Sequence, residues 1–215
     1  MKLMKWIFVL TLWMAYGSIA LAKTDQASGV VLVTHTGIEV AQQTAERSTA
    51  PLDAQREEQA LQIFLKSEQG QIVSAAEAMP ATKYGFTPTE GEFKGVRTFA
   101  LEVRHLAATN HILAAAALGE DPPSDAGDEM GPQTVRTKAE ILDYLNSSFA
   151  HLGKAIDAIG EANAMVKATP ISPLPASKTT RLALTVEAVI HAFDHYGQMV
   201  EYLRMNGIVP PASRP

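Results

Sequence analysis

The sequence contains four long segments in which apolar residues return at helical intervals, and each is bounded by proline or glycine. Because proline breaks the helical hydrogen-bond ladder, these boundaries limit how far each helix can extend. The pattern predicts helices at about residues 52–79, 96–118, 134–159 and 177–206. A strand-like run, VVLVT at residues 30–34, has no evident partner strand. We therefore predict an all-α protein, an up-and-down four-helix bundle.

The boundaries themselves are typical of helix ends and loops. Pro80 ends the first predicted helix, Gly119 follows the second, and Gly207 and Pro210 close the fourth. The linkers DPPSDAGDEMGP and TPISPLPAS contain too much proline and glycine for regular structure. The sequence shows no internal repeat or low-complexity tract, so one bundle domain is expected.

The N-terminus follows the pattern of an export signal. Lys2 and Lys5 precede an apolar run at residues 6–22, which ends in the small-x-small sequence ALA. We interpret residues 1–22 as a signal peptide. An uncleaved anchor is the alternative, although a run of 17 residues is shorter than the roughly 20 that a spanning helix prefers.

This interpretation sets the expected domain organisation and location. A signal peptide at 1–22 precedes an N-terminal extension at 23–51, which the sequence leaves open between an extended arm and a disordered lead-in, and the bundle follows at 52–215. Cleavage after Ala22 would release a periplasmic or secreted protein with no membrane contact.

Composition narrows the classes of function. The sequence has no cysteine, which excludes disulfides and lipid attachment at a cleavage-site cysteine. Its formal net charge of −5 would become −7 on loss of Lys2 and Lys5, and a mildly acidic protein without a basic stripe does not suit nucleic acid. The expected partners are a small-molecule substrate and, as an open alternative, a second copy of the chain.

Histidine spacing gives the best indication of function. His191 and His195 are four residues apart in a predicted helix, so their side chains share one face and can reach the same metal ion. His105, in the second predicted helix, is the candidate third ligand. Three protein ligands leave a position open for water or substrate. The alternative is that these histidines only fill the core.

Three stretches of sequence stand out: HLAATN beginning at His105, HAFDHYGQ at residues 191–198 and YLRMNGIVPP ending at Pro211. Together with AMPATKYGFTP and TKAEILDYLNSSF, which give supporting similarity, they resemble the DinB-like (DinB/YfiT-type) family of four-helix-bundle, metal-dependent enzymes. The resemblance covers about residues 56–215. It implies that His105, His191 and His195 are the metal ligands.

The ligand set indicates both the metal and the chemistry. Three neutral imidazoles suit zinc, nickel or ferrous iron better than calcium or magnesium, and zinc is the expected ion. The zincin sequence H-E-x-x-H is absent, because Ala192 follows His191. Relatives of the resembled family are thiol-dependent transferases or isomerases, and others are taken to be hydrolases. The predicted function is therefore metal-dependent hydrolysis or transfer on a small molecule, and the alternative is a secreted bundle that binds metal or a ligand without catalysis.

We do not expect the other polar residues near the predicted site to bind the metal. Asp194, Glu187 and Gln198 lie within about one turn of the histidine pair, and we expect them to orient a ligand or face solvent. His111 and His151 do not share the face of His105 or of the apolar stripe, and we expect them to be structural or solvated.

Overall fold

The computed structural model describes residues 35–124, 126, 129–159, 164–174 and 179–215, with side chains from Arg56 onward. The predicted signal peptide and the VVLVT run lie outside the described residues. The chain divides into two compact units between Val40 and Ala41, and most of the bundle lies in the second. No described helix is both long enough and apolar enough to cross a membrane.

The described residues contain four α-helices: α1 (His35–Ala78), α2 (Phe99–Leu118), α3 (Lys138–Asp157) and α4 (Arg181–Met205). Two short 3₁₀ helices, Ala81–Lys83 and Pro211–Ser213, are also described. The described residues contain no strand, only one isolated bridge between Met165 and Thr180. The predicted all-α four-helix bundle is confirmed. The first helix begins earlier than predicted, since residues 35–51 are helical.

Threonine sets the start of three helices. Thr98, Thr137 and Thr180 each have extended backbone and accept a hydrogen bond from an amide in the first turn of α2, α3 and α4, respectively. In α3 the Glu140 carboxylate completes a capping box by accepting from the Thr137 amide. These caps begin each helix three or four residues later than periodicity predicts. At the other end of α2, Gly119 takes the left-handed conformation that stops the helix, with φ of 78°.

Contacts between the helices define their directions. Gln62 bonds Gly153 and Lys138 bonds the Met79 carbonyl, so α1 and α3 are antiparallel. Asn110 near the middle of α2 bonds Ser148 near the middle of α3, and the two helices end side by side.

Arg181, at the start of α4, shows that α2 and α3 end side by side. Its guanidinium donates to the carbonyls of Ala117 and Ala158, at the ends of α2 and α3. Thus α2 and α3 are parallel, and α4 runs back against both. The strict alternation of an up-and-down bundle does not hold between α2 and α3, because the connection at residues 119–137 is long enough to return the chain to the end of the bundle at which α2 began.

The core lies between the apolar faces of these helices. Its largest fully buried side chains include Phe99, Leu106 and Leu113 of α2. The others lie in α1, α3 and α4 or directly after α1 and α3: Ile72, Met79, Ile141, Leu145, Phe149, Leu152, Ile156, Ile159 and Leu184. At one end of the core, the Phe99 ring packs edge-on against Tyr84 and at a tilt against Tyr202. This core is independent of the histidines, which lie between α2 and α4.

Candidate metal centre

The three histidines meet between α2 and α4. One ring nitrogen from each of His105, His191 and His195 lies within 4.8 Å of the others. The ring centroids of His105 are 5.3 Å from His191 and 4.7 Å from His195, and the latter two are 4.3 Å apart. The predicted convergence is confirmed. It follows from the helix repeat, because residues 191 and 195 lie one turn apart on the face of α4 that packs against antiparallel α2.

The cluster is shielded from water. His105 and His195 are 3% and 5% exposed, and His191 is half-buried. Burial lowers the pKa of His105, and it lowers the pKa of His191 to about 3, with the neighbouring His195 and His105 adding to the effect. Both rings are therefore neutral near pH 7, which is the form that binds metal.

A carboxylate holds His195 in place. Nδ1 of His195 bonds Glu102, a residue of α2 that is 1% exposed. The Arg97 guanidinium lies 3.6 Å from the other oxygen of Glu102 and stabilises its charge. Because His195 donates its Nδ1 proton to the carboxylate, its Nε2 lone pair is left for a ligand.

A backbone carbonyl does the same for His105. Nδ1 of His105 lies 2.7 Å from the carbonyl oxygen of Glu129, in the connection between α2 and α3. Glu129 has a φ of 68°, which is strained for a residue with a side chain. Such strain persists where surrounding contacts fix the backbone.

Those contacts come from the residue next to the histidine. Arg104 donates to the carbonyls of Met130 and Val135, which ties the connection to α2. Gly131 allows the close approach, since a Cβ at that position would lie 3.3 Å from the Arg104 carbonyl and the backbone is left-handed, with φ of 68°.

Of the three rings, His191 has the fewest hydrogen bonds to orient it. Its Nε2 faces Nε2 of His195 at 2.9 Å, and its buried Nδ1 has no hydrogen-bond partner among the described residues. If His191 carried its proton on Nδ1, that N–H would have no acceptor, and the Nε2 lone pairs of His191 and His195 would face each other. If it carried the proton on Nε2, the Nδ1 lone pair would have no donor. Either tautomer is unfavourable. A cation between the Nε2 atoms removes the repulsion of the first arrangement.

The donor set fits a divalent ion. In a tetrahedral zinc site with Zn–N bonds of about 2.0–2.1 Å, ligand nitrogens lie roughly 3.3–3.4 Å apart. The observed separations, from 2.9 Å up to 4.8 Å, bracket this value. The metal binding itself stays a prediction.

The other residues singled out from the sequence lie outside the cluster. Asp194 is exposed and accepts a hydrogen bond from Gln198 at 2.9 Å, while Gln198 reaches His195 Nδ1 only at 3.5 Å. Glu187 accepts from the Ser172 hydroxyl, and burial raises its pKa.

Sequence reasoning missed the groups that orient the rings. Glu102 carries a usable signal: an acid in an otherwise apolar helical segment, three residues before His105 and so on nearly the same face. Glu129 carries none, because it acts through its backbone carbonyl in a linker that has no periodic pattern.

Comparison with known proteins gives independent information on this chain. The sequence model of the DinB superfamily matches residues 65–199. This stretch runs from α1 into α4 and contains all three histidines and both residues that orient them. No curated protein matches the chain.

Proposed function

We propose that this chain, which belongs to the DinB superfamily, binds one divalent metal ion through His105, His191 and His195 and uses it on a small-molecule substrate. The observation that carries the proposal is the orientation of the rings. Two of them are turned by hydrogen bonds at Nδ1 so that their Nε2 lone pairs are free, and all three reach a common point. Histidines that merely filled the core would need no such support.

The chemistry follows from the donor set. A metal ion held by three neutral imidazoles supplies Lewis acidity, which acidifies a water or a thiol and polarises a carbonyl. Zinc is the ion we propose, and nickel or ferrous iron has the same ligand preference. The protein contributes a largely buried cluster in which Glu102 and Glu129 set the orientation of two rings.

Metal-dependent hydrolysis is the form of the reaction that we favour. The N-terminal sequence supports a further proposal, that the protein is exported to the periplasm or the medium. Thiol cosubstrates are scarce in an oxidising compartment, so water is the better nucleophile there. Mass measurement of the mature protein tests the export step, because cleavage after Ala22 removes residues 1–22.

A second candidate function is metal or ligand binding without catalysis. Glu102 and Glu129 both lie on the Nδ1 side of their histidines, so they orient the rings and neither is placed to accept a proton from a reacting group. Asp194 is exposed and paired with Gln198. Among the described residues, no carboxylate is thus assigned as general base.

One comparison of variants tests the site. We expect His195→Ala to lose the bound metal, because two imidazoles hold zinc poorly against water, whereas Asp194→Ala keeps it. Metal content per chain is measured by elemental analysis, and helical circular dichroism verifies folding of both variants. Equal metal content in wild type and His195→Ala would overturn the site assignment.

Activity separates the two functions. The metal-loaded protein is tested on a panel of esters, amides and thiol–electrophile pairs, before and after chelation. Metal-dependent turnover that His195→Ala abolishes supports the enzyme. Stoichiometric metal without turnover of any substrate class supports the binding protein.

A further inference from the structure

One face of α4 is apolar and turned to solvent. Its residues return at alternating intervals of four and three, which aligns them along the helix, and we call them the α4 seam: Val186, Ile190, Phe193, Gly197 and Val200. Ile190 is 65% exposed, Phe193 is 40% exposed, and Gly197 is also exposed. His191 and His195 are each two residues from Phe193, a rotation of about 200°. The seam therefore lies on the side of α4 away from the metal cluster.

The glycine in this seam is not explained by packing within its own chain. Gly197 lies in the middle of a helix, where glycine is less stable than alanine. A Cβ atom at this position would meet nothing within 4 Å, so no described neighbour requires the small residue. The missing side chain leaves a gap on the helix surface between Phe193 and Val200. Such a gap, flanked by apolar side chains, suits a side chain that inserts from a second helix.

The seam is complementary to itself in the antiparallel direction. If two copies pair about a twofold axis level with residue 195, Phe193 of each copy faces Gly197 of the other, and Ile190 faces Val200, because both pairs of numbers are centred on 195. The large ring then enters the gap that the glycine leaves. In a parallel pair, each Phe193 would face the other Phe193 and each gap would face a gap. The sizes of the side chains therefore favour the antiparallel pair.

Charge favours the same direction. Glu187 and Arg204 lie at opposite ends of the seam. An antiparallel pair places Arg204 of each copy beside Glu187 of the other, whereas a parallel pair places like charges together. The Arg204 side chain is 54% exposed, and its ion pair with Glu201 is within the same helix. Arg204 can therefore reach across the edge of a helix pair.

We propose that the α4 seam is a dimer interface and that its partner is a second copy of this chain, bound antiparallel about a twofold axis near residue 195. From residue 186 to residue 204 the helix pair is about 27 Å long. A single pair of helices is a small interface of the weakly associating class, so we expect a dissociation constant in the micromolar range. Because the histidines lie on the other side of α4, the interface does not depend on the proposed metal-dependent function.

Analytical ultracentrifugation of the full chain over a range of concentrations tests the interface. We expect an equilibrium between monomer and dimer. Phe193→Glu should raise the dissociation constant by roughly a hundredfold or more, because it buries a charge in an apolar interface. Gly197→Leu should raise it by roughly tenfold or more, because leucine fills the gap that receives Phe193. An apolar surface that associates without a fixed geometry would instead associate more tightly with leucine at this position.

Ile63→Glu is the matched control, because Ile63 is an apolar residue of α1 that is 69% exposed and lies outside the seam. It should leave the dissociation constant unchanged. Circular dichroism verifies that each variant is folded. A wild-type chain that stays monomeric at millimolar concentration overturns the proposal, and so does a dimer that persists unchanged in both Phe193→Glu and Gly197→Leu.

A spin label tests the direction of the pair. The chain has no cysteine, so Arg204→Cys provides a single site for the label. In the antiparallel dimer the two labels are separated by about 27 Å along the helix axes, whereas in a parallel dimer they are separated by about the distance between the axes, roughly 10 Å. Pulsed electron paramagnetic resonance measures the separation. The longer distance supports the proposed pairing, and the shorter one overturns it.

Discussion

At the scale of single residues, the candidate centre depends on groups that carry no ligand atom. Glu102 makes this point best, because it is 1% exposed, lies between His195 and Arg97, and has its charge compensated on both sides. A buried carboxylate without such partners would be costly. The three histidines thus come with surrounding groups that the spacing of histidines alone does not reveal.

Substitution of Glu102 tests this environment. Glu102→Gln keeps an acceptor oxygen but loses the charge that makes the Nε2 lone pair of His195 a better ligand. We expect metal affinity to fall about 10–100-fold, as is usual for groups that orient ligand histidines, while helical circular dichroism is retained. Competition with a chromophoric chelator measures the affinity.

Glu201→Gln is the control, since Glu201 is an exposed acid of α4 paired with Arg204. It should leave metal affinity unchanged. A Glu102→Gln protein that binds metal as tightly as wild type would remove Glu102 from the site.

A different buried acid is a source of instability. Glu68 of α1 is fully buried between Leu65 and Ile72 on the core face, and neither carboxylate oxygen has a hydrogen-bond partner among the described residues. Burial raises its pKa to about 8. Between pH 4.5 and 8 the folded chain therefore keeps a proton that the unfolded chain releases, so the free energy of unfolding falls as the pH rises through this window.

Glu68→Leu should abolish this dependence. At about 1.4 kcal/mol for each pKa unit, the gain in unfolding free energy over wild type should be small near pH 5 and reach a few kcal/mol at pH 8. Urea unfolding in the presence of chelator measures it. Glu57→Leu, at an exposed position of the same helix, should show no such trend; a Glu68→Leu gain that is equal at both pH values would contradict the assigned cause.

At the scale of helices, periodicity predicts which segments are helical but not where they begin or how they connect. The apolar stripes of α2, α3 and α4 identify those helices, and the ends of α2 and α4 lie within a residue of the predicted ones. The first residue of each of these helices is set by a threonine cap, whose side chain accepts a local hydrogen bond. The apolar pattern extends further toward the N-terminus and does not reveal this boundary.

The relative directions of the helices could not be predicted from the sequence, for a different reason. A linker of residues 119–137 allows either a hairpin or a return along the bundle, and the choice depends on tertiary contacts such as those of Arg104 with the linker carbonyls. The hydrogen bond between His111 and His151, whose Nδ1 atoms lie 3.1 Å apart, was missed as a consequence, because it forms only when α2 and α3 are parallel and in this register.

Arg181 joins the ends of those two helices and offers a test of their arrangement. Its guanidinium donates to the carbonyls of Ala117 and Ala158, and a cation at two helix C-termini also interacts favourably with both dipoles. We expect Arg181→Met to lower the free energy of unfolding by about 1–3 kcal/mol. Urea denaturation measures the change.

Arg204→Met provides the comparison on the same helix. Arg204 forms an exposed ion pair with Glu201, with both side chains more than half exposed. Such pairs contribute little, so the change should stay within about 0.5 kcal/mol. Equal losses in the two variants would show that Arg181 does not join the helix ends.

At the scale of the whole molecule, the candidate centre and the core are separate sources of stability. The largest buried side chains come from all four helices and make a continuous core, whereas the histidines join only α2 and α4. A bundle with such a core does not need metal to fold. A metal that binds only the folded chain nevertheless stabilises it by mass action, by about 2.7 kcal/mol at a free concentration one hundred times Kd.

Chelation should therefore lower the Tm without unfolding the protein at room temperature. For a chain of this size, about 1 kcal/mol corresponds to about 2–4 °C, so we expect a decrease of roughly 5–10 °C, measured by calorimetry after elemental analysis has verified removal of the metal. His195→Ala, which should hold no metal in the cluster, is expected to melt at the same temperature with and without chelator. An unchanged Tm in the stripped wild type would mean that the ion binds folded and unfolded chains alike, which a preformed site between two packed helices cannot do, and the assignment of the three histidines as its ligands would fail.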